Sequence, residues 1–451
     1  MKKFAVTVAA ALAVAALASP ARAAVSAEAA YVFNSFSFLV CGALVMFMAA
    51  GFAMLESGLV RAKNTAAICL KNIALYSIAG LTFYLIGYDL MYTGVDGGIV
   101  GSLALLYNPS DLELALINAD DAGKDAALAA LMKAGTGYSS MSDWFFQMVF
   151  VATAASIVSG ALAERIRVWP FMLFVVLLTA VIYPVIGAWT WGSGWLSEMG
   201  FSDFAGSTIV HSTGGWAALA GALILGARKG KYGPDGRVNP MPGANIPLAT
   251  LGTFVLWLGW FGFNGGSQLA LGSALDAAAM SIVFVNTNLA AAAGVVAAMA
   301  LTQILYKKID LTITLNGAIG GLVAITAGPD LQNHLLAIAV GGIGGVLVVF
   351  AVPLLDRLKI DDVVGAIPAH LVAGIWGTLA VGIFGAGDFL VQLTGVVAVG
   401  AFVMIASGIV WFLIRATIGL RVDGEAESLG LDQVELGIEA YAEFGQGSRS
   451  I

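Results

Sequence analysis

Charge is scarce in this sequence: Asp, Glu, Lys and Arg make up 11% of its 451 residues. A soluble chain carries about a quarter charged residues to keep its surface hydrated, so a soluble enzyme is excluded. Cysteine occurs only at Cys41 and Cys69, each in or beside an apolar stretch, a number and setting that exclude a disulfide framework. Histidine occurs three times, with no metal-ligand cluster and no phosphate-cradling loop around it. Neither catalytic residues, nor a cofactor, nor a metal, nor a nucleic-acid partner is therefore expected. What is plentiful is apolar: 59% of the chain is hydrophobic, with 56 glycines. Small residues in that number suit helices packed closely in lipid.

The first residues read as a removable leader. Lys2 and Lys3 precede an apolar run from Phe4 to Ala18, and Ala21-Arg22-Ala23 has the small-x-small form of a cleavage site. That run is shorter than the roughly 20 residues a span needs. Residues 1–23 are thus expected to be a bacterial signal peptide, 24–415 a membrane domain and 416–451 a cytoplasmic tail.

Eleven apolar runs follow, near 32–58, 70–92, 143–163, 168–190, 204–226, 246–265, 277–305, 312–327, 334–354, 363–384 and 389–414. The acidic stretch 93–141 is the one long loop between them. Basic residues test the count, because they concentrate on the cytoplasmic side. Loops after odd-numbered runs hold Arg61, Lys63 and Lys71; Arg165 and Arg167; Arg228, Lys229, Lys231 and Arg237; Lys307 and Lys308; Arg357 and Lys359. The tail adds Arg415, Arg421 and Arg449, and only Lys124 and Lys133 fall outside in the mature chain. The reading is an all-α multi-pass protein of the inner membrane, N-terminus periplasmic and C-terminus cytoplasmic.

Two histidines sit inside these runs, each eight residues after an aspartate. Asp203 precedes His211 and Gly215-Trp216; Asp362 precedes His370 and Gly374-Ile375-Trp376. The copies lie five spans apart, and five is odd, so they run in opposite directions: a five-plus-five inverted repeat around a central pore. Eight residues advance a helix by about 12 Å. Half of a roughly 30 Å hydrocarbon core is about 15 Å. Both histidines therefore reach the midplane, from opposite sides. Ionisable residues at that depth mark function. Each aspartate stands where a helix starts and can cap its N–H groups. For Asp362 that structural role suffices; Asp203 has a second reading, as negative potential for a cation site. His334, at the end of the ninth run, reads as ordinary.

Aromatics crowd the outer end of the sixth run, Trp257-Leu-Gly-Trp260-Phe-Gly-Phe263-Asn-Gly-Gly-Ser267, with Trp191 and Phe150 on other spans. Aromatic belts are common at interfaces, yet a tryptophan face and a hydroxyl near an acidic helix start can also hold a small cation.

These residues resemble the Amt/Mep ammonium transporters over nearly all of the mature length. The matching segments are Gly58-Leu-Val-Arg-Ala-Lys-Asn64, Gly160-Ala-Leu-Ala-Glu-Arg165, Asp203 to His211, Trp257 to Ser267 and Asp362 to His370. The resemblance implies an external ammonium site at Trp191, Ser267 and Phe150 supported by Asp203. It implies a gate of Phe150 and Phe263 lined by Trp260, and a pore lined by His211 and His370. It also implies a homotrimer, and a PII-type signalling protein at the cytoplasmic face. An Rh-type gas channel is a nearer alternative, which Trp191 and the Trp257 to Ser267 segment disfavour. A membrane ammonium sensor with little transport is the other; such proteins usually carry a fused domain, and the tail after Ile418 is only about thirty residues. Two positions depart from the family: Glu56, where an uncharged residue is frequent, reads as a partnered acid or a proton relay. Leu436 stands in the tail where a histidine is usual.

Overall fold

The computed structural model describes residues 25–442, so the expected leader 1–23 and Arg449 lie outside the described residues. Among the described residues the regular structure is helical, with two isolated β-bridges in the connections. In lipid, a backbone must satisfy its own hydrogen bonds, which long apolar runs of Ala, Leu, Val, Ile and Gly do as helices.

Helix α1 is Ala27–Leu59 and α2 is Ala62–Tyr92; two short helices, α3 Asp111–Asn118 and α4 Lys124–Ala134, follow. Then come α5 Ser140–Ala161, α6 from Val168 to Thr190, α7 Ser207–Leu225, α8 Ile246–Gly266 and α9 Ala274–Tyr306. The last are α10 Leu311–Ile325, α11 His334–Arg357, α12 Ile367–Phe384, α13 Phe389–Thr417 and the small α14 Gly424–Leu429. Side-chain caps set several starts: Asn245 Oδ1 accepts from Leu248 N, Asp310 Oδ1 from Ile313 N, and Asp388 Oδ1 from Leu390 N.

Ten of these segments are long and apolar enough to cross a membrane. The eighth expected span is the exception. Helix α10 has 15 residues, about 22 Å of rise against a hydrocarbon core of about 30 Å. It is nonetheless buried almost throughout, packed between α9, α11 and α12. Helix α5 is buried in the same way, whereas α9 and α13 turn much apolar surface outward.

The stretch 93–141 is more ordered than a loop. Ser110 Oγ accepts from Glu113 N, and the Glu113 carboxylate accepts from Ser110 N, closing a capping box. Tyr31 OH and Ser140 N also donate to Glu113, tying α3 to α1 and α5. Lys71 differs from the sequence reading too: it lies fully buried within α2, and is not a loop charge.

Candidate functional site

The two histidine helices start with the same turn. Asp203 Oδ1 accepts from Gly206 N and Ser207 N, and its Oδ2 from Thr208 N and Ile209 N. Asp362 accepts from Gly365 N and Ile367 N. Gly206 has φ +113° and Gly365 φ +78°, a region that costs a side chain but not glycine. Both histidines then fall in a single wide π-turn, Ser207–Ser212 and Ile367–Val372, a helix form frequent at functional sites.

The helices cross where side chains are absent. A Cβ on Gly215 would fall 2.6 Å from Leu371 Cβ, and one on Gly374 2.5 Å from Ser212 Oγ. The contacts are reciprocal, as an inverted repeat requires. They bring the imidazoles together: His211 Nδ1 and His370 Nδ1 are 3.2 Å apart, and both rings are buried. One shared proton fixes opposite tautomers. The pair then carries one bare Nε2 and one Nε2–H, and His211 Nε2 has no protein partner among the described residues.

A column of rings runs through the pair. Trp191 meets Phe150 edge-on at 6.0 Å, and Phe150 overlies Phe263 at 4.0 Å. Phe263 lies 5.2 Å from His211, His211 5.3 Å from His370, and His370 6.1 Å from Phe52. Trp260 stacks on His211 at 4.9 Å, and its Nε1 donates to Thr326 Oγ1 at 2.8 Å. Phe150, Phe263 and Trp260 are all buried.

The residues singled out at the Trp191 end divide by role. Trp191 Nε1 donates to the Asp203 carbonyl at 2.9 Å, so its indole N–H is already committed. Ser267 is half-buried and its Oγ donates to the Phe263 carbonyl at 2.8 Å, so its lone pairs stay free to accept. Asp203 joins the site through its backbone, because both carboxylate oxygens are committed to N–H groups. His334 lies apart: its Nδ1 bonds Asn286 Oδ1 at 2.7 Å.

Residues 36–441 match the model of the Ammonium Transporter Family. The chain belongs to that family. Ammonium transporter Amt2 of Archaeoglobus fulgidus is 39% identical over 439 residues, covering 90% of this chain and 87% of its own. A putative ammonium transporter of Synechocystis is 40% identical over 420 residues, covering 91% and 90%. Among solved structures, a Sensor Amt Protein superposes with TM-score 0.81 at 36% identity, over 90% of this chain and 99% of that one. Candida albicans Mep2 superposes with TM-score 0.77 at 27% identity, over 94% of each. The family is one of transporters and channels, and this member is a multi-pass, all-helical membrane protein of bacterial Amt type.

Two of this transporter's family-like segments form a buried ion cluster away from the ring column. Glu164, from Gly160 to Arg165, accepts from Arg61 N and Nε at 2.8 and 2.6 Å and lies 3.3 Å from Arg228. Arg228 also donates to both oxygens of Asp361 at 2.9 Å. Burial pushes the Glu164 carboxyl up, but Arg228 and Arg61 outweigh it and hold it below its ordinary value. Phe52 and Thr326 were missed by sequence reasoning. Phe52 had a signal, since Gly51-Phe52 repeats the Gly262-Phe263 pair; Thr326 had none.

Proposed function

We propose that this transporter carries ammonium across the bacterial inner membrane, recruiting the ion at Trp191, Phe150 and Ser267 and passing it as ammonia along His211 and His370. The observation that supports this is the setting of the histidine pair: two imidazoles hydrogen-bonded at 3.2 Å within a column of buried rings. A bare ammonium ion in hydrocarbon costs on the order of tens of kcal/mol, so a narrow apolar path favours the neutral molecule. At its mouth the faces of Trp191 and Phe150 attract the cation, and Ser267 accepts its N–H. Potassium has no proton to give up and is refused. Asp203 positions the turn and Trp191; Asp362 does the same structural work in the other half.

The wider arrangement follows. With α10 counted beside the ten long helices, eleven spans put the two termini on opposite sides, and the basic loops after odd-numbered spans favour a periplasmic N-terminus and a cytoplasmic tail. Residues 1–23 act as the leader, 24–415 as the transport domain and 416–451 as the tail. Exposed Phe36 and Phe47 on α1 and Phe254 on α8 are apolar surface that neighbouring copies of a homotrimer would cover. The tail is seated on α2, where Asp432 accepts from Ala66 N and Ala67 N, and a PII-type partner would meet it on the cytoplasmic face.

Currents on solid-supported membranes after ammonium jumps test this reading, with potassium as control. An ammonium-specific flux is expected, read as a current where the proton released at the mouth crosses with the ammonia and as an internal pH rise where it stays outside. It should be lost or lose its potassium exclusion in the His211→Ala, His370→Ala double variant. An unchanged double variant would refute the role of the pair. The likeness to a Sensor Amt Protein favours a second reading, an ammonium sensor that barely transports. A pH dye inside the same liposomes separates the two, since a sensor moves neither charge nor ammonia.

A further inference from the structure

The inverted repeat extends to the pair α1 and α8, and it singles out Glu56. Gly51-Phe52 and Glu56 on α1 have the spacing of Gly262-Phe263 and Ser267 on α8. Phe52 approaches His370 as Phe263 approaches His211, at 6.1 and 5.2 Å. Four residues on, about one helical turn, Glu56 therefore stands as the counterpart of Ser267.

Glu56 is 2% exposed and lines a cavity of about 10 Å³ together with Phe52, Asn316, Val364 and His370. That volume admits one molecule the size of water, which is also the size of ammonium. Asn316 and Val364 line in addition a wider cavity of about 200 Å³ with Thr312, Arg228 and Asp362. The small cavity is thus the step between His370 and the inner mouth.

The carboxylate is half committed. Its Oε2 accepts from Asn72 Nδ2 at 3.1 Å and from Ser159 Oγ at 2.9 Å, while Oε1 takes no hydrogen bond among the described residues. Lys71 supplies the balancing charge without occupying the acid. Its Nζ donates to the Ser159 carbonyl at 3.0 Å and lies 4.9 Å from the Phe171 ring centre. Ser159 thus stands between the two, its hydroxyl toward Glu56 and its carbonyl toward Lys71. A buried carboxylate needs such a compensating charge, and here the compensation leaves one oxygen open.

We propose that Glu56, with Phe52 and Asn316, forms a second ammonium-binding site on the cytoplasmic side of the histidine pair. This rests on the conduction reading above and adds an asymmetry to it. The outer site offers a neutral hydroxyl, whereas the inner one offers an anion, a ring face and an amide oxygen. The inner site therefore holds the charged form more strongly and governs movement from the cytoplasmic side.

The test compares ammonium KM in two directions, using right-side-out vesicles: influx after an external jump, and efflux from preloaded vesicles. Removing both charges together, Glu56→Gln with Lys71→Met, is expected to raise the efflux KM about tenfold or more, the worth of one charge-assisted hydrogen bond. The influx KM should stay unchanged. Phe52→Leu keeps both charges in place and covers the case in which the double variant does not reach the membrane; it too should raise the efflux KM alone. Wild-type current with an efflux KM unmoved in these variants overturns the site. No wild-type ammonium flux in either direction, by current or by an internal pH dye, overturns the conduction reading, and the site's part in it.

Discussion

His211 Nδ1 and His370 Nδ1 face each other at 3.2 Å, so each imidazole sets the tautomer of the other. Replacing one by alanine orphans the partner's buried nitrogen, at about 1–3 kcal/mol. Each single alanine variant is expected to lose about ten- to a hundredfold in ammonium current. Solid-supported membrane recordings check this, and wild-type currents in both single variants would contradict the coupling.

Asp203 bonds four backbone N–H groups. In Asp203→Asn an amide NH2 replaces one oxygen and faces two of those donors, at about 1–3 kcal/mol for each orphaned group. The expected outcome is a lower Tm in detergent, with Asp362→Asn milder. A variant with wild-type Tm and no ammonium affinity would instead show that the Asp203 charge acts on the cation.

Gly206 combines φ +113° with a Cβ position 3.1 Å from the Trp191 ring. Gly206→Ala adds strain of about 1–3 kcal/mol and displaces Trp191. A raised ammonium KM with potassium still excluded is expected from the same recordings.

Glu113, outside the spans, is pushed up by burial, but hydrogen bonds from Ser140, Tyr31, Ser139 and Ser110 outweigh this and hold it at about 2, against an ordinary 4.5. A depressed carboxyl contributes stability above its unfolded value and loses it as the folded value is approached from above. Thermal stability should therefore fall as pH drops from about 4.5 to about 2, and Glu113→Gln should flatten that slope.

Asp432 accepts from Ala66 N at 3.0 Å and Ala67 N at 2.8 Å, and Leu431 N donates to Asn64 Oδ1 at 2.9 Å. Asp432→Ala is expected to free the tail, read as faster limited proteolysis after residue 417 with the helical domain intact. An unchanged digestion pattern would show that Leu436, packed against the same surface, suffices to hold it.

The sequence by itself determined the helical membrane class and the placement of both histidines. Long apolar runs have one solution in lipid, and the eight-residue interval from Asp203 and Asp362 is a local distance along a helix. It also exposed the column members Trp191, Phe150, Trp260 and Phe263 through their family-like segments. Tertiary structure alone decided which oxygen or nitrogen of each residue is spent. Asp203 could be a charge for a cation or a cap from sequence; four N–H bonds from its own turn decide where its carboxylate points. Lys71 looked like a loop charge because hydropathy averages over neighbours, yet the Ser159 carbonyl and the nearby Glu56 hold it buried in α2. Glu56 gained its place near His370 only when α1 packed against α8 and α5. Lys71 meets Ser159 across 88 positions and Glu56 meets Ser159 across 103, and no local pattern along the chain encodes such contacts.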